Sequence, residues 1–299
     1  MLKLYQKKFW VEHYNDPKYV KIRTNILESF KDLLFEEGPH KYYLNGKEMT
    51  CVSNVTHMFK EHFDADEIAM RTFERNYDKP DSKYYRMTVN EIKASWQKTS
   101  DDACTHGTNR HLFAESIFYF VTNQFEGIAD EYKDRVKYDD NGTVYFEAIA
   151  PEEVASAKFY QDMPECCIPI LAETKVYRED LGYSGTFDLL TYYDAELDGK
   201  TASKSGLQIR DWKTNKDLYK NFGGKTLLYP FQDLLDMSLN IYKLQLSLYQ
   251  LCLEWLGYKI VSRHLMWLKP NETYEKIPLE SYTTTLEKYL TEHPIKNNC

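Results

Sequence analysis

Two short stretches of the sequence carry residue types that metal-dependent phosphate chemistry requires. In residues 209–213 apolar and polar side chains alternate, which predicts a β-strand. Side chains two positions apart on a strand share a face, so Asp211 and Lys213 are predicted to point the same way. The alternation of residues 182–193 predicts a second strand, which carries Asp188. We expect Asp211 and Lys213 to lie on a solvent-facing strand edge.

The connection between the two predicted strands contains Asp198 and Gly199, a pair typical of turns between neighbouring antiparallel strands. Two carboxylates and one ammonium group are therefore predicted to meet on one sheet. Such a set can hold a hard divalent cation and position a water molecule for attack on a phosphate. The alternative is that Asp188 and Asp211 only cap turns or form surface ion pairs, because an Asp-x-Lys triplet is common by chance.

The spacing of apolar residues predicts a largely helical first third of the chain. Residues 1–37 are predicted to be helical and to pack, and residues 41–50 to form a hairpin about an Asn-Gly turn. Ser53 is the predicted N-cap of the next helix. Residues 61–99 are predicted to form two helical pieces that are broken near Pro80.

A further helix is predicted to begin at Gly107 and Thr108, which places His111 one turn into that helix. A histidine in this position can act as a metal ligand. The alternative is a packed or surface histidine, which is the more common role of a single histidine on a helix.

Strands and helices alternate in the rest of the chain. Residues 124–150 are predicted to form an irregular insert with one short strand, and Pro151 to open a helix. A strand over residues 168–176 carries Glu173. Three later elements are predicted, namely a helix over residues 235–256, a strand over residues 258–268 and a closing helix over residues 279–290.

The segment over residues 215–233 interleaves lysines and aromatic residues around a flexible Gly-Gly pair. Lysines neutralise phosphates and aromatic rings stack on bases, so this composition favours a loop that contacts nucleic acid. An ordinary solvated loop is the alternative. The residues concerned are Lys216, Tyr219, Lys220, Phe222, Lys225 and Tyr229.

The composition of the chain limits the classes of protein to which it can belong. A chain of 299 residues with 42% hydrophobic content and no long apolar run is typical of a soluble globular protein, without signal peptide or membrane span. The cysteines, at positions 51, 104, 166, 167, 252 and 299, lack the Cys-x-x-Cys spacing of zinc ribbons, and a reduced cytosolic setting is expected. The net charge of −8 disfavours a nonspecific cationic DNA coat and still permits a local basic groove.

Short motifs follow one another in an order that resembles the PD-(D/E)XK nuclease superfamily, in particular its RecB-type branch. That branch includes phage recombination exonucleases and the mitochondrial genome-maintenance exonuclease. Each motif is weak alone, and their order over about residues 40–270 carries the resemblance. The motifs are Gly107-x-x-x-His111, Glu173, Gly185-Thr186-x-Asp188, Asp211-Trp212-Lys213-Thr214 and Gln245-x-x-x-Tyr249.

The resemblance implies an α/β fold with a restriction-endonuclease-like core, in which helices flank a mixed central sheet. It divides the chain into a helical N-terminal extension with a hairpin, residues 1–99, and a nuclease core, residues 100–299. The iron–sulfur cysteines of some relatives have no counterpart in this sequence, so no cluster is expected.

The resemblance also implies a metal site. Asp188 and Asp211 would hold Mg²⁺ or Mn²⁺, with the backbone carbonyl of Trp212 and the imidazole of His111 as further ligands. Lys213 would orient or deprotonate the attacking water and stabilise charge on the phosphate.

The remaining motif residues are given supporting roles by the same resemblance. Glu173 would be an accessory acid near the metal. Gln245 and Tyr249 would hydrogen-bond Lys213 or the DNA backbone, and Thr214 would contact a phosphate.

The expected function is that of a metal-dependent deoxyribonuclease, and specifically an exonuclease acting from DNA ends in recombination, repair or phage DNA metabolism. Its expected partners are DNA, single-stranded or with free ends, and a helicase or recombination protein, in the cytoplasm of a bacterium or phage-infected host. The segment before His111 and the loop after Lys213 are placed to wall the site into a channel, or else pack away from it. The alternatives are a sequence-nonspecific endonuclease of the same fold, a catalytically silent DNA-binding module of a helicase–nuclease complex, and a structural domain whose acids are surface charge.

Overall fold

The computed structural model describes residues 1–295, and these form an α/β structure with helices on both sides of a mixed sheet. The strands are Leu2–Tyr5 (β1), Leu33–Glu36 (β2), Lys41–Leu44 (β3), Lys47–Cys51 (β4), Val136–Tyr138 (β5), Val144–Ala148 (β6), Cys167–Arg178 (β7), Tyr183–Tyr193 (β8), Gly206–Lys213 (β9), Ile260–Leu268 (β10) and Tyr274–Pro278 (β11). The helices are Lys8–His13 (α1), Pro17–Phe30 (α2), Val52–His57 (α3), Ala65–Asn76 (α4), Val89–Val121 (α5), Pro151–Asp162 (α6), Ser238–Trp255 (α7) and Thr283–Glu292 (α8).

The main sheet has the strand order β11-β10-β9-β8-β4-β3-β2, and β7 also pairs with β8. The β9–β10 and β4–β8 pairs are parallel and the others are antiparallel, so the sheet is mixed as expected. A second, three-stranded sheet has the order β1-β6-β5. The long strands β7, β8 and β9 are largely buried, because helices cover both of their faces.

The edge of β8 opposite β7 is divided between two strands. β7 pairs with β8 from Tyr183 to Tyr193. On the other edge β9 pairs with residues 189–193, whereas β4 pairs with residues 183 and 184. The β8–β9 pairing ends at Leu189 and Arg210, and β9 continues to Lys213 along β10. The two strands therefore diverge, and a crevice opens between them.

Several predicted elements are confirmed. The hairpin turn has Asn45 and Gly46 at φ of 52° and 77°, the left-handed values that an Asn-Gly turn favours. Two helices, α4 and α5, flank a break that contains Pro80, and α6 begins with Pro151 at its first turn. The strands β8 and β9 lie where alternation predicted them, and β7 and β10 lie at the other two predicted strands.

The prediction that residues 1–37 are helical is wrong at both ends. β1 pairs with β6 through Leu2 and Ala148, and β2 pairs with β3 through Leu33 and Leu44. A strand of four residues is stabilised by its partner strand more than by its own spacing of apolar residues. Helical spacing therefore could not reveal either strand.

Three predicted helix starts are corrected. Ser53 lies inside α3, whose N-cap is Cys51. The helix predicted from residue 235 begins at Ser238, because Leu235 pairs with Thr226 in an isolated bridge. The third correction concerns Gly107, which lies in the interior of α5.

Helix α5 begins at Val89 and not at Gly107. Its N-cap, Thr88, accepts a hydrogen bond from the backbone N–H of Glu91, whose carboxylate in turn accepts one from the N–H of Thr88. This reciprocal capping box is a strong start signal. α5 therefore crosses the boundary between residues 99 and 100, and the division of the chain at that point stays a prediction.

Two short strands and the end of the chain complete the comparison. The insert over residues 124–150 holds β5 as well as the predicted strand, and β11 follows β10 as an unpredicted edge strand. The closing helix α8 begins at Thr283, after the predicted start. Cys299 lies outside the described residues. No helix within residues 1–295 has the length and apolar character needed to cross a membrane.

Candidate metal centre

The candidate site lies in the crevice between β8 and β9. Past Arg210 the backbone of β9 no longer pairs with β8, and the side chain of Asp188 takes over the contact between the strands. Its Oδ2 accepts a hydrogen bond of 2.6 Å from the backbone N–H of Trp212. The Trp212 ring lies on the opposite side of the strand, where it packs edge-on against Phe159 of α6 with ring centroids 5.0 Å apart. The backbone of Trp212 thus holds Asp188 at the point where the two strands separate.

Three side chains that could hold a metal ion converge there: His111, Glu173 and Asp188, with one ligand atom of each within 4.8 Å of the others. The Nδ1 of His111 lies 3.4 Å from Glu173 Oε1 and 3.4 Å from Asp188 Oδ2. Two carboxylates and one imidazole form a donor set that suits Mn²⁺ and, through the oxygens, Mg²⁺. The residues present therefore fit a small divalent cation.

Strand register brings the two carboxylates together. Ala172 pairs with Leu189 and Thr174 with Phe187, which places Glu173 opposite Asp188. Residues that face each other across two strands project to the same side of the sheet. Glu173 has a φ of 41°, a left-handed value that is strained for a non-glycine residue. Strain of this kind concentrates at functional sites.

Helix α5 supplies His111 from above the sheet. The Nε2 of the imidazole lies 3.1 Å from the carbonyl oxygen of Trp212. A carbonyl can only accept a hydrogen bond, so Nε2 carries the proton and donates it. Nδ1 is then the nitrogen that faces Glu173 and Asp188. Metal-binding histidines are commonly held in this way, with a hydrogen bond from the other ring nitrogen that fixes the tautomer. Here the Trp212 carbonyl, which was predicted to be a backbone metal ligand, accepts that hydrogen bond from His111.

Asp211 and Lys213 form a buried ion pair beside this group. Their Oδ2 and Nζ atoms lie 2.5 Å apart, and Asp211 is 1% exposed. The prediction that the pair lies on a solvent-facing edge is therefore wrong, because β9 is an inner strand covered by α7. Gln245 of α7 donates from Nε2 to Asp211 Oδ1 at 3.3 Å and contacts the hydroxyl of Tyr249 at 3.4 Å.

Burial and mutual repulsion shift the protonation of the acids. Burial raises the pKa of Asp188, and this outweighs the attraction of His111 and Lys213. Burial, with the nearby charge of Asp188, raises the pKa of Asp211 to about 6, against the opposing effect of Lys213. Carboxylates crowded in this way need a cation to remain ionised together.

The two basic groups of the site are held in their charged forms. Burial opposes the charge of His111, but Asp188 and Glu173 outweigh it and raise its pKa to about 9. Burial likewise opposes the charge of Lys213, but Asp211 and Asp188 raise its pKa above the ordinary value. The Lys213 ammonium also lies over the ring of Tyr242, 4.9 Å from its centroid. The surrounding acids therefore favour the charged form of Lys213.

Sequence reasoning missed two residues of the site. Glu115 lies one turn after His111 on α5, and burial together with Glu173 raises its pKa to about 7. Tyr242 covers Lys213 and donates a hydrogen bond of 2.9 Å to Asn215 Oδ1. The four-residue spacing from His111 is the signal that could have identified Glu115.

The loop after β9 extends from the site as an irregular segment, as predicted. Tyr219 is half-exposed and packs edge-on against Trp267, and the Lys220 ammonium lies over the ring of Phe222 at 4.7 Å. Lys225 instead forms an ion pair of 2.6 Å with Glu61. Lys216 forms no ion pair within residues 1–295. Of the loop lysines in that part of the chain, Lys225 is therefore the one whose charge is already paired with an acid.

The same loop is joined to the segment that follows α3. The backbone N–H of Leu228 donates to the carbonyl of Phe59 at 2.8 Å, and the rings of Phe59 and Phe231 pack edge-on at 4.8 Å. An ion pair of 3.2 Å between Lys60 and Asp236 adds to this contact. We call this contact between residues 59–61 and residues 225–236 the arm–loop joint.

No protein-family model matches the chain, and no curated protein matches it.

Proposed function

We propose that this protein is a metal-dependent nuclease of the PD-(D/E)XK superfamily, of the RecB-type branch, that hydrolyses phosphodiester bonds from DNA ends. The observation that carries the proposal is one juxtaposition: the group of His111, Glu173 and Asp188 lies beside a largely covered, charged Lys213. A metal-capable acidic group alone is common on proteins. Hydrolysis of a phosphodiester also needs positive charge near the phosphate oxygens, and an adjacent lysine held in its charged form supplies it.

In this proposal each residue of the site has one role. His111, Glu173 and Asp188 would hold Mg²⁺ or Mn²⁺, which when bound lowers the pKa of a water molecule and neutralises charge on the phosphate. Lys213 places a second positive charge where the phosphate oxygens gain negative charge. Asp211 and Tyr242 fix the position of that ammonium group, and the charge of Asp188 lies close enough to raise the pKa of Asp211.

Gln245 and Tyr249 support this arrangement from α7. Gln245 fixes the free oxygen of Asp211, so that the other oxygen is presented to Lys213. Thr214, Lys216, Tyr219 and Lys220 follow Lys213 directly and would contact the DNA strand beyond the cleaved bond. A helicase or recombination protein remains a proposed partner, and the cytoplasm a proposed location.

The arm–loop joint supports action from an end. Residues 59–61 precede α4, residues 225–236 follow the catalytic strand, and the two segments contact each other through a backbone hydrogen bond and two ion pairs. We propose that this joint borders the site, where it would favour threading of a strand from its end over docking along a duplex.

The test is digestion of end-labelled linear, nicked and covalently closed DNA, single- and double-stranded, with Mg²⁺, with Mn²⁺ and with EDTA. We expect metal-dependent loss of linear DNA, with closed circles resistant. An Asp188→Asn variant should be inactive on every substrate.

Each other outcome has a defined meaning. Degradation of closed circles as fast as linear DNA of the same sequence would favour the nonspecific endonuclease. DNA binding without cleavage under any metal would favour the silent binding module. Absence of both binding and cleavage would refute the proposal.

A further inference from the structure

Arg23 of α2 is a buried guanidinium group that forms no ion pair within residues 1–295. The residue is 9% exposed, and its Nη1 atom is buried with no hydrogen-bond partner among the described residues. The guanidinium stacks on the ring of Tyr14, with 3.7 Å from its central carbon to the ring centroid. Burial lowers the pKa of Arg23, and the Tyr14 hydroxyl opposes this shift. A buried charge in this state is costly.

The two other arginines buried to this degree have oxygen partners for their guanidinium groups. Arg178 pairs with Asp180 and Glu287, and Arg210 donates to the oxygens of Thr191 and Gln208. The fold can therefore satisfy a fully buried guanidinium where the role is structural. Arg23 differs because its buried Nη1 has neither a carboxylate nor another oxygen partner within residues 1–295, and a ligand could supply one.

Arg23 lines a cleft of about 670 Å³ between α2, β7 and the C-terminal part of α5. The cleft reaches Glu173, whose carboxylate lies 3.4 Å from His111, so it borders the candidate metal centre. Its acidic residues are already engaged: Glu28 pairs with Lys31 at 3.0 Å, and Glu173 faces His111. Lys175 lines the same cleft with an exposed side chain. The cleft thus carries a net positive character next to the acidic site.

One partly exposed aromatic ring and neutral polar groups complete the lining. Tyr14 and Phe30 are buried in the wall of the cleft, Tyr119 is partly exposed, and Asn15 and Gln124 offer amides. A ring near a planar guanidinium suits a nucleotide strand, because a base can stack on the ring while the guanidinium binds phosphate oxygens in pairs. A free carboxylate ligand would use the guanidinium and leave the Tyr119 ring without a partner.

We propose that Arg23 binds a backbone phosphate of the nucleic-acid strand that enters the metal centre, so that the α2–β7 cleft is a strand-holding subsite. This inference rests on the proposed nuclease function for the identity of the strand. The phosphate supplies the missing counter-charge, and the strand leaves the metal centre past Glu173 toward α2. Arg23 is a binding residue and takes no part in the chemical step.

The experiment measures binding without cleavage. Fluorescence anisotropy of a labelled single-stranded oligonucleotide is recorded in EDTA over a range of salt concentrations, for the parent protein, Arg23→Met and the matched control Arg75→Met. Arg75 is an exposed arginine on α4, away from the cleft. Oligonucleotides with phosphorylated and unphosphorylated ends are compared, which separates a terminal phosphate from an internal one.

We expect Arg23→Met to bind about ten- to a hundredfold more weakly, as for loss of a charged hydrogen bond. The slope of log affinity against log salt should fall by about one unit, the signature of one lost phosphate contact. Arg75→Met should match the parent. Because a buried unpaired charge is removed, the melting temperature of Arg23→Met without ligand should be equal to or above that of the parent.

An unchanged salt slope in a folded Arg23→Met protein overturns the inference. A lower melting temperature with an unchanged slope would assign Arg23 to packing on Tyr14. If Arg23→Met does not fold, Arg23→Lys replaces it: the slope should be kept and affinity should fall severalfold, and unchanged affinity overturns the inference.

Failure of the proposed function is recognised separately. If the parent protein neither binds the oligonucleotide nor cleaves DNA with Mg²⁺ or Mn²⁺, the nuclease proposal fails. Inorganic phosphate then tests the subsite alone, since it should raise the melting temperature of the parent and of Arg75→Met but not of Arg23→Met. A rise of equal size in all three proteins overturns the subsite.

Discussion

Lys213 keeps its charge in a place from which most water is excluded. Ammonium groups buried without a partner lose their proton. Here Asp211 lies 2.5 Å from Nζ, Asp188 adds its field, and the ring of Tyr242 covers the group. The charge is therefore built into the folded protein before any substrate binds. Such preorganisation is what makes a charge effective on a developing transition state.

The first prediction concerns this charge. Lys213→Met should lower the cleavage rate about a hundredfold, equivalent to about 3 kcal/mol, because one fixed charge that stabilises the transition state is lost. Metal binding should remain, since the group of His111, Glu173 and Asp188 is intact. Single-turnover cleavage and metal titration are measured beside Lys216→Met. Cleavage by Lys213→Met at the parent rate, at equal thermal stability, would contradict the assigned role.

The second prediction concerns the pH dependence of metal binding. The pKa of His111 is raised to about 9, so at neutral pH the imidazole is protonated and must lose that proton to become a ligand. Metal affinity should therefore rise with pH by up to about tenfold per unit below pH 9, with proton release. Calorimetry in two buffers of different ionisation enthalpy counts the protons. Binding at pH 7 without proton release would exclude His111 as the ligand.

The same shift has a consequence for the metal-free protein. A group whose pKa is raised on folding contributes stability that is fully present below its unfolded pKa, near 6.5 for histidine, and lost as pH rises through the folded value. The melting temperature of the parent without metal should thus fall between about pH 6.5 and 9, and His111→Asn should show a flatter profile over this range. An identical profile in both proteins would contradict the pairing of His111 with Asp188 and Glu173.

The third prediction uses the close approach at Gly185. A Cβ atom there would lie 2.9 Å from Tyr249 Cε1 and 3.0 Å from Val52 Cγ2, and both neighbours are buried. Gly185→Ala should destabilise the protein by about 1–3 kcal/mol, the usual cost of overpacking. It should also lower cleavage, because Tyr249 contacts Gln245 and Gln245 holds Asp211. Denaturant unfolding and cleavage are compared with Gly38→Ala, where an added Cβ meets nothing within 4 Å; equal stability of the two variants would refute this account.

At the scale of elements, α5 connects the N-terminal part of the chain to the metal centre. It starts at the capping box of Thr88 and Glu91 and carries His111 and Glu115 in its later turns. Gly107 is not the start of this helix, because the capping box that begins it lies well upstream. One rigid helix therefore places His111 against β8 and β9, so the position of the imidazole depends on the packing of the whole of α5.

The fourth prediction tests the continuity of this helix. Gly107 lies in the interior of α5, and an added Cβ would meet nothing within 4 Å. Gly107→Ala should stabilise the protein by about 0.5–1 kcal/mol, because alanine restricts the unfolded chain and favours the helix. Gly206→Ala is the contrasting variant, since its Cβ would lie 2.7 Å from the carbonyl oxygen of Lys259 and should destabilise. A loss of stability in Gly107→Ala would favour a helix that starts at this glycine.

Whether an element could be predicted from the sequence depends on how far apart in the chain the residues that stabilise it lie. The strands β7 to β10 and the Asn45-Gly46 hairpin are encoded locally, by alternation and by turn chemistry, and were confirmed. The strands β1, β2 and β11 depend on partners distant in sequence or on an edge position, and local patterns did not reveal them.

The same limit applies to the site. Residue types predicted which side chains carry chemistry, but not which of them lie together. The register sets Glu173 opposite Asp188, and where β9 diverges from β8 Asp211 pairs with Lys213. The role of Asp211 as a metal ligand stays a prediction. The burial of Asp211 was missed because the cover, α7, comes later in the chain.

At the scale of the whole molecule, the arm–loop joint connects the segment after α3 to the loop between β9 and α7, and the proposed action from DNA ends requires that it border the site. The fifth prediction is that Glu61→Lys combined with Asp236→Lys weakens the joint, because both ion pairs become repulsive contacts with Lys225 and Lys60. Each exposed pair contributes only about 0.2–1 kcal/mol, so the fold should remain intact. The ratio of closed-circle to linear single-strand degradation should rise.

This experiment needs a control for the added positive charge. Glu74→Lys combined with Asp78→Lys adds the same charge at exposed positions of the N-terminal part of the chain, away from the joint. It should increase DNA binding without changing the ratio. A ratio that rises equally in both double variants would show that charge, not opening of the joint, is responsible.

The joint also affects how the newly synthesised chain matures. Phe59 is fully covered in the finished protein, by Phe231 among others, and its carbonyl accepts from Leu228. Contacts between residues this far apart in sequence form slowly, since the entropy of closing the intervening chain must be overcome first. On the ribosome, α3 and α4 are thus complete long before their cover exists. The side chain of Phe59 therefore stays exposed on the nascent chain through most of its synthesis. During that interval the exposed ring can bind a chaperone or promote aggregation.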